Sequence, residues 1–234
     1  MHQRLVTSEF AIERVVPFFQ PIIDLKYNTV WRYECLARLV TESDHIFLPS
    51  EFLYIVDREK ANIELTHHIY ALGHQYLSSH QMPWSINLSS ADLRDENMVD
   101  WLVNECKQRD NDLFGIEVSI DDALDSIQVI ERLVAQCKNL SISIDDIESA
   151  DSELEKLLKI GVDALKIRGS VSNNVHDEAA RLSQIIPLVA LCKRYQTKLV
   201  AEHIEDSETL AELSELGIRY GQGFFFNSPA ATVS

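Results

Sequence analysis

The sequence predicts an α/β fold: a TIM-type (β/α)8 barrel in which one strand, the first, is reversed. Three observations carry this. From residue 84 onward, β-type runs alternate with helical periods, the pattern of parallel strands covered by helices. Several of those runs are apolar on both faces, as strands buried on both sides are. No Gly/Ser or Pro-rich linker interrupts the 234 residues. About eight strands therefore share one domain, 1–234, a length that a closed barrel of ~200–250 residues accommodates.

The elements follow in order. Val15 to Asp24 reads as a strand that Pro17 and Pro21 demote towards an edge or irregular position. Tyr27 and Asn28 mark a turn, and Thr29 to Leu39 alternates strongly, so a hairpin opens the fold. Pro49 and Ser50 before Glu51 start a helix. Ile63, Leu65, Ile69, Leu72 and Tyr76 recur at helical spacing within a helix over 61–78. A strand covers 84–88, and Ser90 caps a helix containing Met98 to Cys106. Strands at 113–118, 140–144, 162–167 and 198–201 then alternate with helices at 122–136, 151–158, 178–195 and 207–216. A strand over 220–225 closes the set.

Charge and composition exclude some functions. A formal net charge of −16 repels polyanions, so long nucleic acid is not an expected partner. A small phosphate ligand is compatible with a local Arg or Lys, or with a bound cation that reverses the sign of its pocket. No apolar run approaches the ~18 residues of a membrane span. The first ten residues lack a signal-peptide apolar stretch, so a cytosolic location is expected. The cysteines at 35, 106, 137 and 192 form no Cys-x-x-Cys pair. They read as reduced thiols, mostly buried.

The chemistry gathers at the ends of the strand-like runs, which in such barrels is the functional face. One run ends near Glu34, one at Asn87, one at Glu117, one near Lys166 and one at Glu202. Leu140 to Ile144 ends in two adjacent carboxylates, Asp145 and Asp146. The acids and the Asn87 amide are hard oxygen ligands suited to Mg²⁺ or Mn²⁺. Successive strand side chains point to opposite faces, so Asp145 and Asp146 both enter one pocket only if the strand has ended. A carboxylate bridging two cations is the basis of two-metal phosphodiester hydrolysis. In that chemistry Lys166 stabilises phosphate charge or orients water, and Glu202 accepts its proton. Taken singly, each residue also reads as a helix cap or a solvated charge. Six such run ends together favour a site, while their spacing leaves the reaction class open.

The motifs resemble the EAL domains, phosphodiesterases for the bacterial messenger cyclic di-GMP, over about Phe18 to Pro229. Glu34-Cys-Leu-Ala-Arg38 stands where the family's Glu-Ala-Leu-x-Arg belongs. Phe19-Gln-Pro-Ile-Ile, Ile86-Asn-Leu-Ser89, Ile116-Glu117, Asp145-Asp146, Leu165-Lys-Ile167, Ala201-Glu-His-Ile-Glu205 and Gln222-Gly-Phe224 match further motifs in order. The resemblance implies an EAL-type barrel with its first strand antiparallel. It implies that Glu34, Asn87, Glu117 and Asp145 bind metal, Mg or Mn, and that Asp146 completes a second metal position. It makes Glu202 the base, supported by Lys166. It places Arg38 on substrate phosphate, Gln222 on guanine, and Gln20, Leu36 and Glu205 around the substrate. A homodimer is a further implied partner.

The departures cluster. Where the family has Phe-Gly-Thr-Gly after Asp-Asp, this chain has Ile147, Glu148, Ser149 and Ala150. Glycines permit close approach and backbone conformations that Glu148 and Ala150 resist. Ile120 replaces a glutamate that steadies the same loop, and Arg168 replaces an aspartate. A cation at 168 facing the site disfavours a second metal. His203 replaces a glycine beside Glu202. The resemblance therefore implies a metal-dependent phosphodiesterase that makes linear pGpG slowly. The alternative is a catalytically silent module that binds cyclic di-GMP or a protein partner.

Overall fold

The opening hairpin forms where the alternation places it. In the computed structural model, which describes residues 6–7, 9–108 and 113–233, β1 (Val15–Asp24) pairs antiparallel with β2 (Thr29–Val40). Met1 to Leu5 of the N-terminal stretch, and Ser234, lie outside the described residues. Asn28 takes the turn at φ 52°, a left-handed conformation that asparagine tolerates.

The strands that follow are β4 (Trp84–Asn87), β5 (Phe114–Ser119), β6 (Ser141–Ile147), β7 (Ala164–Ile167), β8 (Lys198–Ala201) and β9 (Tyr220–Gly221). From β2 through β4 to β9, each pairs in parallel with the next. β1 then pairs antiparallel with β9 as well as β2 and closes the ring. The barrel is thus eight-stranded with its first strand reversed, as expected.

β1 is not an edge strand, and the reason it tolerates two prolines is geometric. Phe19 donates its N–H to the Ala230 carbonyl and its own carbonyl accepts the Ala230 N–H, on the side away from β2. Pro17 and Pro21 share that parity, so their missing N–H groups face the same side. There β9 is two residues long and reaches only Ile23 and Asp24, so neither proline interrupts a ladder.

Other boundaries differ from the sequence reading. A short β3 (Ile46–Phe47) adds to β2 outside the barrel. The helix expected after Ser90 is two helices, Ser90–Arg94 and Glu96–Gln108, and its cap is Ser89, whose hydroxyl accepts from the Asp92 N–H. The helix over 122–136 breaks at Ser126 into Ile120–Asp125 and Ile127–Gln136. The helix over 178–195 widens to a π turn at Arg181–Ile185 before Ile186–Tyr195. Pro187 lacks the N–H that the Ser183 carbonyl would accept, and the wider turn lies across that gap. The strand over 220–225 stops at Gly221. A Cβ on Gly223 would lie 2.1 Å from the Ile204 carbonyl oxygen, so the chain turns tightly there and leaves Phe224 and Phe225 exposed.

The main apolar core lies between barrel and helices, with Trp84, Tyr70 and Phe114 in mutual ring contact. Ile22, Val200 and Tyr220, under Trp31, form a smaller apolar floor. Cys35, Cys137 and Cys192 are buried free thiols, and Cys106 is half-buried. Among the described residues no helix is long and apolar enough to cross a membrane.

Candidate functional site

Above the apolar floor the barrel turns polar. Lys166 on β7 is 1 % exposed, and carboxylates carried by three other strands or the loop after one of them close around its ammonium. Its Nζ lies 2.9 Å from Glu34 on β2, 2.5 Å from Glu117 on β5 and 2.8 Å from Glu202 after β8. Asp145 on β6 stands 3.7 Å away. Asn87 donates to Glu34 at 2.7 Å, and Gln222 donates to Glu34 at 2.8 Å and to Gln20 at 3.2 Å. Ser85 donates to Glu117 at 2.5 Å. Sequence reading missed Ser85. Its signal was the two-residue period of β4, which puts Ser85 on the face of Asn87, one layer deeper.

Four carboxylates crowd one ammonium, and the buried Arg32 guanidinium lies within electrostatic reach of Glu117. Burial together with the Glu34 and Asp145 charges pushes Glu117 up to about 7. Burial, then Asp145 and Glu34, push Glu202 up to about 8 against the pull of Lys166. Burial acts the same way on Glu34, but Lys166 and the Asn87 and Gln222 hydrogen bonds hold it below the usual carboxylate range. Burial disfavours the Lys166 charge, yet the four acids raise its pKa well above the ordinary value.

These shifts set the pH dependence of metal-free stability. Glu117 and Glu202 keep protons in the folded state that the unfolded chain releases near its ordinary carboxylate pKa. The folded state then binds more protons, and stability falls as pH rises towards 7 and 8. With EDTA present, the melting temperature is expected to drop by roughly 5 °C between pH 5.5 and 8.5. Glu202→Gln is expected to flatten that slope. A melting temperature that rises across this range would contradict the assignment.

The paired aspartates enter by a route the sequence reading did not foresee. β6 does not end before them but runs to Ile147. Between Ile144 and Ile147 it spends three steps against two on β7, so one extra residue bulges out. Asp146 takes up the bulge at φ 63°, its N–H held by the Asp145 carboxylate at 2.6 Å. Asp145 faces Lys166, while Asp146 sits at the rim. There Arg168 Nε pairs with Asp146 at 3.0 Å, and the Arg168 guanidinium also pairs with Glu148. The cation expected to oppose a second metal thus lies directly on the acid that would hold it.

The altered loop is held by apolar contacts. Ile147 is fully buried, and Ile120 and Ala150 pack against the same core. Glu148 and Ser149 are exposed. His203 occupies a left-handed φ of 55°. It lies over Gly169, where an added Cβ would come within 2.5 Å of the imidazole.

Glu34, Asp145 and Glu202 open into a cavity of about 570 Å³, while Glu117 and Lys166 lie buried and do not line it. Its lining includes Gln20, Glu34, Leu36, Arg38, Asp145, Asp146, Glu202, Glu205 and Gln222, and so unites most of the expected residues. Arg38 donates to the Ala37 carbonyl at 2.9 Å and has no carboxylate partner among the described residues. Phe18, Ile46, Leu48 and Phe224 supply apolar walls that sequence reading did not name. Asn87 does not line this cavity. Among the described residues, the one trio of His and carboxylate groups with ligand atoms all within 4.8 Å of one another is His176, Glu208 and Glu212, away from these acids.

An eight-stranded barrel with a reversed first strand and an acid cluster at its C-terminal end defines a class of acid-lined β/α barrels. The family model for the EAL domain matches residues 4–229, and the chain belongs to that family. It is 25% identical over 227 residues to cyclic di-GMP phosphodiesterase PdeB of Shewanella oneidensis, covering 93% of this chain and 26% of PdeB. It is 24% identical to cyclic di-GMP phosphodiesterase PdeA of Borreliella burgdorferi, covering 91% of this chain and 33% of PdeA. The chain thus spans about a third or less of the length of these relatives. The FimX EAL domain of Pseudomonas aeruginosa, solved bound to c-di-GMP, superposes with a TM-score of 0.83 at 21% identity, covering 98% of this chain and 95% of that one.

Proposed function

We propose that the chain hydrolyses cyclic di-GMP to linear pGpG with Mg²⁺ or Mn²⁺, at a reduced rate. The observation that carries this is the crowded cluster of Glu34, Glu117, Asp145 and Glu202 at the base of an open cavity that also presents Arg38 and Gln222. The donor set fits a divalent ion: hard carboxylate oxygens crowded together, whose held protons a cation would displace. Glu34, Asn87, Glu117 and Asp145 would hold it. When bound, such an ion acidifies water and neutralises phosphate charge. Glu202, with its pKa raised to about 8, then takes the proton of the attacking water. Lys166 holds Glu202 in place through its 2.8 Å contact. Arg38 neutralises a phosphate oxygen, and Gln222, backed by Gln20, meets a guanine edge, with Leu36 and Glu205 flanking the substrate.

The reduced rate follows from the loop. Arg168 occupies Asp146, Ile120 stands where the family has a supporting glutamate, and Ala150 where it has a glycine. Losses of supporting residues of this kind cost ~10–100-fold each. Incubation with cyclic di-GMP and Mn²⁺ is expected to yield pGpG over many turnovers, and Glu34→Ala to reduce the yield at least ~100-fold. No linear product at stoichiometric enzyme with either metal overturns the reading. The Arg168–Asp146 pair supports a second reading, a silent module. Tight nucleotide binding by calorimetry without product selects a nucleotide sensor, and absence of binding leaves a protein-partner role.

A further inference from the structure

A second cavity, of about 440 Å³, lies beside the first, bounded by the helices Pro49–Glu59 and Asn62–Leu77 and by β2 and β4. Its size is that of a small-molecule site (~300–1,000 Å³). Leu36, Leu53, Leu65, Ile69 and Leu88 make its walls largely apolar. Among the described residues its charged lining is Asp57 and Asp92, with no Lys, Arg or His. Asp92 is 1 % exposed. One carboxylate oxygen accepts the Ser89 N–H at 2.8 Å and the Ser89 hydroxyl at 2.6 Å. The other, Oδ1, is buried without a hydrogen-bond partner among the described residues. A buried acceptor in this state is costly, and a donor from a bound molecule relieves it.

We propose that this cavity binds a small organic cation, a primary ammonium on a compact apolar body. The ammonium meets Asp92 Oδ1, with Asp57 adding negative charge at the entrance, and the apolar body rests on the leucine and isoleucine walls. The chain's net charge of −16 favours approach of such a cation. The proposal does not depend on phosphodiesterase activity. Occupancy nevertheless bears on that site, because Leu36 lines both cavities and Asn87, which donates to Glu34, borders this one.

The test uses three probes of one shape: tryptamine, its neutral alcohol tryptophol, and the anion indole-3-propionate. Calorimetry and ligand-observed NMR on the chain are expected to show submillimolar tryptamine binding, at least ~10-fold weaker tryptophol and no indole-3-propionate. Asp92→Asn keeps an oxygen to accept from Ser89 and is expected to abolish the preference for tryptamine over tryptophol. Leu53→Trp fills the rim without touching Asp92 and is expected to abolish binding of both; it carries the test if the first variant does not fold. Equal binding of all three probes, or no tryptamine binding at millimolar concentration, overturns the proposal. So does binding that survives Leu53→Trp but is lost in Glu34→Ala, which places the cation among the barrel acids instead.

Discussion

Lys166→Met is expected to destabilise the metal-free protein by roughly 3–5 kcal/mol at pH 8. Methionine keeps most of the side-chain length, so packing changes little and the effect reports the charge. The ammonium contacts Glu34, Glu117 and Glu202 within 3 Å, with Asp145 close behind. Without it, Glu34 and its buried neighbours face one another in a low-dielectric interior, where like charges are costly. The acids respond by taking up protons, and this fixes the direction of the pH effect. At pH 5.5 Glu117 and Glu202 are already protonated in the wild type, so less charge is left unbalanced and the cost shrinks. Urea unfolding in EDTA at the two pH values measures both. A loss below ~1 kcal/mol at pH 8 would show that the acids are not held by Lys166.

Arg168→Asp is expected to change metal stoichiometry and rate while leaving stability nearly untouched. The Arg168 pairs are about half exposed, and ion pairs of that kind contribute only ~0–1 kcal/mol. Their effect on Asp146 is larger, because a guanidinium lies on the carboxylate oxygen that a second cation would need. In the wild type, calorimetric titration with Mn²⁺ is expected to find one ion per chain. In Arg168→Asp, where a cation becomes a carboxylate, two ions are expected, and pGpG formation rises ~10–100-fold. Arg168→Ala frees Asp146 without adding a ligand and should fall between them. The wild type binding two ions with equal affinity would remove the clasp as the cause of slow turnover. Binding none would count against the phosphodiesterase reading itself.

Much of the site was legible because barrel geometry converts a one-dimensional pattern into a place. Glu117, Lys166 and Glu202 sit at or near the ends of short apolar runs, whereas Glu34, read as a run end, lies inside β2, which continues to Val40. Parallel strands in one ring bring such ends to one face whatever the spacing between them. Period two would also have identified Ser85. The hairpin and the reversed first strand followed from alternation around Asn28. The misses share a cause. Pro17 and Pro21 read as an edge because sequence does not show how short the neighbouring β9 is. The helix breaks at Asp95, Ser126 and Arg181–Ile185 interrupt stretches whose apolar period continues across them. Asn87 was expected in the pocket as a ligand, yet it borders the second cavity rather than the first and reaches the cluster through its amide donor.

By itself the sequence determined which polar residues fall at or near the ends of the strand-like runs, a local property of composition and period. The resemblance to the EAL domains, not the period, implies glycines where Glu148 and Ala150 stand and an acid where Arg168 stands. Only the tertiary structure decided how the Asp145-Asp146 pair divides. The bulge in β6 turns Asp145 to the buried ammonium and Asp146 to the rim, where Arg168, which also pairs with Glu148, reaches it from across the loop. A register shift between two strands and a contact across 22 residues are relations between distant parts of the chain, and no local pattern encodes them.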